Sequence, residues 1–517
     1  MRNLTVLTEK VLSILEKDTS KWDEWTSKKE LYPVSQADAM KQFVSRIEEQ
    51  KIKNEKVLVA GDYDCDGIMS TTIMVSGLRA FGIDCGFYIP DRIQEGYGLS
   101  EQTVRLAHQK GYTMILTVDN GVKAFKALAL AKQYSICVIV TDHHTIEQEP
   151  DCDCLVHPGV LDSPFHVLCG AGIAYECMRA LGVDTRYHLE LAAIASIADV
   201  MPVIRETRAI IQNGLEALNE DHEKHLFPLA TDRVLNETSV GFQIVPKLNA
   251  VGRLSNLANV NNVVRYFLSE DMKDITAFQQ QINHINERRK TMSEQMCKEA
   301  NERLDLSRKV FLIKKDSFHE GIIGLVAGSL CASYQRPVIV MTSSNQGYKA
   351  SMRSPNGFDC MDFLSVFKGF SEIGGHKNAA GFSVNYQDFE EFETYVNQRA
   401  LTYQWVPESI ETLRVDPKEL TLEAIESLDV LRPFGQGFTC PPFELTDVNI
   451  KSIFDISNGK HRKFTLVNGL QCMNFNQTKK DQEKSVVSIE GFVGNPQINT
   501  YRGKKQVNFI IDTINYK

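Results

Sequence analysis

Long apolar runs are missing from this chain. No stretch approaches the roughly 18 uninterrupted apolar residues of a membrane span, and residues 1–10 lack a basic stretch leading into an apolar block. A membrane span is therefore not expected, and a cytoplasmic protein is. Paired cysteines are missing as well: none of the twelve cysteines forms a Cys-x-x-Cys, and Cys152-Asp153-Cys154 has no second pair near it. This sets aside a structural zinc site and, in a reducing compartment, a disulfide framework. There is no internal repeat and no low-complexity tract, which excludes a solenoid or a disordered chain. Positive charge is in deficit, with 57 Lys+Arg against 66 Asp+Glu and a formal net charge of −9.

What is present belongs to globular protein. With 517 residues, 43% hydrophobic and 24% charged, the chain exceeds what one core supports, so roughly two to four domains are expected. Residues 1–55 read as a polar helical lead-in. From Lys56, short β-rich runs at 57–60, 114–118 and 136–140 alternate with amphipathic stretches, each run followed by polar residues. That is the pattern of buried parallel strands in an α/β sheet, placed at 56–268. The polar stretch 269–307 has no glycine or proline and contains Arg288-Arg289-Lys290, which predicts one connector helix over 269–308. A second α/β unit is expected at 309–400, with strands at 310–313 and 337–341 around an apolar helix over 321–334. A linker at 401–443 is followed by short strand-like runs over 444–517 with Asn-Gly turns at Asn458 and Asn468, the pattern of a small β-barrel. This last segment holds 11 Lys+Arg against 7 Asp+Glu, locally +4. An acidic chain thus carries a basic patch suited to nucleic acid, and carboxylates gathered around metal ions contribute to the acidic remainder.

Acidic residues stand directly after the apolar runs. Asp62, Asp64 and Asp66 follow the first; Asp119 lies in Val118-Asp119-Asn120-Gly121; Asp142-His143-His144 follows the third; Asp199 lies in Ile197-Ala198-Asp199-Val200. In an open α/β sheet the carboxyl ends of the strands are where ligands bind. Singly, each segment is weak: Asp-x-Asp-Gly is a common turn, adjacent histidines can cap a helix, and Asp199 can be an N-cap. Brought to one point, they supply hard oxygen ligands and an imidazole, a mixture that suits Mn²⁺ or Mg²⁺ better than zinc. A pair of such ions about 3.5–4 Å apart serves phosphoryl chemistry.

The ordered set Asp64-Cys65-Asp66-Gly67, Val118-Asp119-Asn120-Gly121, Asp142-His143-His144 and Ala198-Asp199-Val200 resembles the four signatures of the DHH phosphoesterase superfamily. Further segments narrow the resemblance to the RecJ single-strand-specific exonucleases: Pro90-Asp91-Arg92 with Glu95-Gly96-Tyr97-Gly98, Leu168-Cys-Gly-Ala-Gly172, Pro246-Lys-Leu-Asn-Ala-Val-Gly-Arg253, His319-Glu-Gly-Ile-Ile-Gly324, Met352-Arg353-Ser354 and Gly374-Gly-His-Lys-Asn-Ala-Ala-Gly381. The resemblance implies an α/β fold in which a DHH domain and a DHH-associated domain are joined by a long helix and followed by a small OB-fold β-barrel. It implies a metal-dependent 5′-to-3′ exonuclease that hydrolyses phosphodiester bonds of single-stranded DNA in repair and recombination, with two divalent ions, Mn²⁺ or Mg²⁺.

Carried over by position, Asp64, Asp66, Asp119, His143 and Asp199 are the implied metal ligands, with Asp119 bridging both ions. His144 would approach the scissile phosphate as a positioning group or proton donor, and the role of Asp62 stays open. Arg92, Ser351 and Arg353 match positions that hold the DNA end, Arg253 would contact the strand near the metals, and Tyr97 and His376 are further substrate-binding positions. The segment Lys349-Ala-Ser-Met-Arg353 replaces a more glycine-rich one in many relatives. The implied partners are single-stranded DNA and a single-strand-binding protein or helicase, with no membrane and a monomeric state. Two alternatives stand beside this: a DHH-family phosphodiesterase for short oligonucleotides or cyclic dinucleotides, and a non-catalytic single-strand-binding replication or repair factor. In the basic tail, Lys460-His-Arg-Lys-Phe464 and Arg502-Gly-Lys-Lys505 accompany Phe475, Phe492 and Tyr501. These residues suit a strand-binding face, or else a barrel core with a solvated basic surface.

Overall fold

A computed structural model of the chain describes residues 4–92, 95–96, 98–408, 411–475, 477, 488–501 and 503–517; Tyr97, Arg502 and the side chain of Tyr501 lie outside them. The first sheet is formed by β1 (Val57–Ala60), β2 (Cys85–Tyr88), β3 (Met114–Val118), β4 (Cys137–Thr141) and β5 (Cys154–Val156). Its order is β2-β1-β3-β4-β5 and every pairing is parallel. β1 and β3 are wholly buried, as short β-branched runs must be when helices cover both faces. One of these helices, Cys65–Phe81, follows β1 and is buried almost throughout. Because β2 lies on one side of β1 and β3 on the other, the crevice where the strand order reverses opens between the ends of β1 and β3. Loops diverge there, which leaves room for a ligand.

The 30-residue helix Met272–Asn301 follows, within the stretch read as a connector. The second sheet contains β6 (Phe311–Lys314), β7 (Val338–Ser343), β8 (Gly347–Arg353), β9 (Phe370–His376) and β10 (Ala379–Asn385), in the order β6-β7-β8-β10-β9. Only β6 and β7 pair in parallel. Its register sets Ser351 opposite Gly381 and Gly381 opposite Gly374. The two glycines extend a row without side chains outward from Ser351, and added Cβ atoms there would meet nothing closer than 4.0 Å.

The third sheet holds β11 (Leu413–Val415), β12 (Phe443–Thr446), β13 (Ile450–Ile456), β14 (His461–Leu466), β15 (Gln471–Asn474), β16 (Ile489–Tyr501) and β17 (Lys504–Tyr516), in the order β11-β12-β16-β17-β15-β14-β13. Its core contains Phe443, Leu445, Phe464, Phe492 and Phe509. Two segments differ from expectation. The stretch 401–443 is more than a linker, because β11 pairs with β12 and Leu420, Ile425, Leu428 and Leu431 enter the same core. The lead-in is likewise a packed strap: Leu7, Val11 and Leu12 of helix Val6–Leu15 complete that C-terminal core, whereas Met40, Phe43 and Ile47 of helix Asp38–Lys53 pack on the first sheet. Between these helices, Arg179 Nη2 donates to Tyr32 O at 2.6 Å, and Glu176 and Glu206 accept the amides of Ser35 and Tyr32 at 2.7 and 2.9 Å. The polar composition of the first 55 residues concealed how few apolar side chains such a strap needs. Among the described residues no helix is long and apolar enough to cross a membrane, and all twelve cysteines are free thiols, none of them exposed.

Candidate metal centre and strand-end cleft

The acidic segments converge at the β1/β3 crevice. Asp64 caps the helix Cys65–Phe81, its Oδ1 accepting from Gly67 N at 3.0 Å, so its turn role and a ligand role coexist. Asp66, in the first turn of that helix, accepts the amides of Gly170 and Ala171, both at 2.7 Å. These are the first amides of helix Gly170–Ala180, whose N-terminus favours a negative charge. Gly170 permits this approach, since a Cβ there would lie 2.5 Å from Asp119 Cβ. Asp119 follows β3 in the left-handed region at φ 61°, a costly conformation for a residue with a side chain and one concentrated at functional sites. Asn120 fixes the turn, donating to Ala60 O at 3.1 Å and Val118 O at 2.9 Å while accepting Leu99 N at 3.0 Å. Asp199 ends the helix Arg186–Ala198 as its C-cap, not an N-cap.

His143 Nε2 lies 3.1 Å from Asp119 Oδ1, 3.6 Å from Asp199 Oδ2 and 3.7 Å from Asp66 Oδ2. The ligand atoms form overlapping trios, each within 4.8 Å: Asp62, Asp64 and Asp119; Asp66, His143 and Asp199; Asp119, His143 and His144. Asp62, left open by the sequence, is thereby part of the cluster. Among the described residues no lysine or arginine forms an ion pair with Asp62, Asp64, Asp66 or Asp199. The electrostatics follow from that. Burial, then Asp64, pushes Asp62 well above the usual carboxylate range, and burial, then Asp66, raises Asp64. Burial and the charges of Asp66, Asp64 and Asp62 raise Asp119, while burial with Asp66 and Asp64 lifts Asp199 to about 8. Burial lowers His143 and favours the neutral ring a metal requires. Crowded carboxylates of this kind, with Asp62 Oδ1 buried and lacking a hydrogen-bond partner, fit divalent cations.

Asp142 behaves differently. Its Oδ1 accepts from His144 Nδ1 at 2.7 Å and from the amides of His143 and His144 at 2.7 and 3.1 Å, and its Oδ2 accepts Val122 N at 3.0 Å. Burial works against the charge of both partners, yet their hydrogen bond holds Asp142 below and His144 above its ordinary range. Asp142 was absent from the ligand set inferred from sequence, although it too ends an apolar run. Asn249 lies in the segment Pro246–Arg253 that carries the resemblance but has no role assigned from sequence: its Oδ1 accepts Cys65 N at 2.8 Å across 184 positions of sequence.

Beside the centre is a cleft of about 340 Å³ between the first and second sheets, lined by Arg92, Arg253, Lys349, Ser351, Arg353, Gly374 and Gly381 among others. The Arg92 guanidinium lies 4.7 Å from the Tyr63 ring, and its loop is tied down by Glu95, which accepts from Tyr88 Oη at 2.7 Å and Asp91 N at 3.0 Å. Arg353 Nη1 donates to Ser351 Oγ at 2.9 Å. Burial, then the charges of Arg92 and Arg353, lowers Arg253 to about 10. None of these three arginines has a carboxylate partner among the described residues. His376 is exposed at the end of β9 and is not among the cleft residues.

Family models match in the order this geometry suggests: the DHH family N-terminal domain at 56–201, the DHHA1 domain at 307–401 and the RecJ OB domain at 413–513. A Bacillus subtilis protein named single-stranded-DNA-specific exonuclease RecJ is 32% identical over 94% of this chain and 64% of its own length. The Haemophilus influenzae protein of the same name is 29% identical over 94% of this chain and 91% of its own. The crystal structure of RecJ in complex with Mn²⁺ from Thermus thermophilus superposes with a TM-score of 0.80 at 26% identity, covering 94% of this chain and 72% of that one. The chain carries a DHH domain, a DHHA1 domain and a RecJ OB domain. It spans 64% of the Bacillus subtilis relative.

Within the RecJ OB domain the aromatic residues divide. Phe464 and Phe492 are core, whereas Phe475 and Phe454, the latter missed from sequence, are 49% and 63% exposed. Several of the basic residues are already paired: Arg462 Nε with Asp455 at 2.7 Å and Lys505 with Glu426 at 2.7 Å.

Proposed function

We propose that the chain is a two-metal exonuclease that hydrolyses single-stranded DNA from its 5′ end. The observation that carries this is the pair of trios, Asp62-Asp64-Asp119 and Asp66-His143-Asp199, joined where Asp119 meets His143, beside a cleft in which Glu320 pairs with Lys349 at 3.0 Å while Arg92, Arg253 and Arg353 have no carboxylate partner among the described residues. Asp62, Asp64, Asp66, Asp119, His143 and Asp199 would hold two divalent cations, Mn²⁺ or Mg²⁺. Bound there, the cations would supply the Lewis acidity that phosphodiester hydrolysis needs.

The protein's own groups do the rest. His144, half-exposed and hydrogen-bonded to Asp142, which favours its protonated form against the effect of burial, donates to a phosphate oxygen at the scissile bond. Arg92, Ser351 and Arg353 take the terminal phosphate, for which guanidinium forks are suited, and Arg253 takes the neighbouring one. The row Ser351, Gly381, Gly374 lets the strand backbone lie close to the sheet. Phe454 and Phe475, near Lys463 and His461, offer stacking faces that tolerate any sequence. A single-strand-binding protein or a helicase would supply such an enzyme with substrate in the cytoplasm, and because one chain carries every site residue, a monomer suffices.

The test is a competition among a long single strand, the matching duplex and dinucleotides, each with Mn²⁺ and with EDTA. Mn²⁺-dependent loss of the long single strand alone is expected. Cleavage confined to dinucleotides contradicts the proposal and favours an oligonucleotide hydrolase. Binding without cleavage favours a non-catalytic factor.

A further inference from the structure

The loop that leaves Asp199 is held by residues with no part in the proposed chemistry. Val200 follows at φ 54°, a left-handed conformation that a β-branched residue resists, and is exposed, so its own side chain does not anchor the turn. Locally the turn is closed by Val200 N donating to Ile197 O at 3.2 Å and Met201 N donating to Ser196 O at 3.1 Å, and a second hold on the loop comes from far along the chain. Val203 N donates to Gln436 O at 2.8 Å, and Gly435 sits so near that a Cβ there would lie 2.5 Å from Val203 Cγ2. The turn that presents Gly435 and Gln436 is itself gripped by Arg208, near the start of the helix Arg205–Asp221 that follows the loop. The Arg208 guanidinium is fully buried and donates to Pro433 O and Leu431 O, both at 2.9 Å, to Trp25 O at 3.2 Å and to Arg432 O at 3.3 Å. It lies against the stacked rings of Trp25 and Phe438. Glu237 adds a second grip, pairing with Arg432 and accepting Phe434 N at 3.2 Å.

A buried arginine directed at main-chain carbonyls is a costly way to gain stability alone, because apolar residues fill such a space at least as well. What its planar fork supplies is fixed geometry. We propose that the turn 432–438 is a brace for the Asp199 carboxylate, and that Arg208 and Gly435 are positioning residues for metal uptake. The brace rests on the metal-site assignment above. It makes one side of the centre, the Asp66-His143-Asp199 trio, depend on docking of the OB domain, while the Asp62-Asp64-Asp119 trio stands at the ends of β1 and β3 with Asn120 and Asn249 beside it.

Mn²⁺ is titrated calorimetrically into the metal-free whole chain and into Arg208→Met, Arg208→Lys and Gly435→Ala, with a thermal melt of each. The expected result is that Arg208→Met and Gly435→Ala weaken one Mn²⁺ uptake step about tenfold or more, the size of effect seen when groups supporting metal ligands are removed. The other step stays parental, and Arg208→Lys recovers part of the loss. Gly435→Ala removes none of the groups that hydrogen-bond Arg208 and carries the test should Arg208→Met fail to fold. Variants that match a Mn²⁺-binding parent in both steps overturn the brace alone. A parent that takes up no Mn²⁺ overturns the metal site and the brace with it.

Discussion

The metal centre and the OB domain treat charge in opposite ways. In the OB domain Arg462 meets Asp455, Lys505 meets Glu426 and Arg414 meets Glu444 at 3.0 Å, all near the surface, where such pairs contribute little to stability and exchange readily for other partners. At the β1/β3 crevice Asp62, Asp66 and Asp119 are buried with like charges beside them, and the amides that hold Asp66 fix its direction without adding a counter-ion. Burying like charges together is unfavourable until cations arrive. One region is therefore incomplete without its ligand, whereas the other is a finished fold with adjustable contacts. Catalysis should depend steeply on single residues of the first, and affinity only gently on those of the second.

Asp119→Ala strikes the steep side hardest. Removing the carboxylate shared by two trios should lower kcat at least about a thousandfold in Mn²⁺ while single-strand binding remains, which parallel cleavage and filter-binding assays would resolve. Asp142→Asn should cost roughly a hundredfold in kcat. It should also move the alkaline limb of the pH–rate profile to lower pH: burial alone lowers His144, Asp142 raises it above its ordinary value, and without that carboxylate the ring loses its proton earlier. An unmoved alkaline limb would separate His144 from the chemistry. Arg353→Ala should weaken KM for 5′-phosphorylated strands about tenfold, in line with the loss of a charge-assisted pair, and much less for strands with a 5′ hydroxyl.

On the gentle side, Phe475→Ala should weaken single-strand binding by about 1–3 kcal/mol if it stacks a base, with kcat unchanged at saturation. Phe464→Ala, in the same domain but in its core, should instead lower domain stability by about 3–5 kcal/mol in a denaturant melt. Equal effects of the two on binding would erase the distinction between face and core.

The residues legible in the sequence are those whose meaning is local. Asp64, Asp119, His143 and Asp199 each lie within a few residues of the end of an apolar run, so a strand-end or helix-end position could be inferred for each without knowing the others. The pairings that give these residues their orientation were not legible, although Gly170, Ala171 and Asn249 lie in segments that carry the resemblance, because the partners come from afar: Gly170 and Ala171 hold Asp66, Asn249 holds the Cys65 amide, and Gln436 holds the Val203 amide. No period or motif links such pairs. In the OB domain the alternation of strand residues identified a sheet, but only the packing decided that Phe464 and Phe492 face inward while Phe454 and Phe475 are exposed. The helical character of residues 1–55 was readable, but its division between two cores was not.

The most direct measurement follows one long single strand labelled in parallel at its 5′ or its 3′ end and incubated with the parent chain in Mn²⁺. Early release of the 5′ label as a mononucleotide, while the 3′ label remains on a shortening strand, is the predicted result. Early release of the 3′ label, or an intact strand with Mn²⁺ in excess, would contradict it.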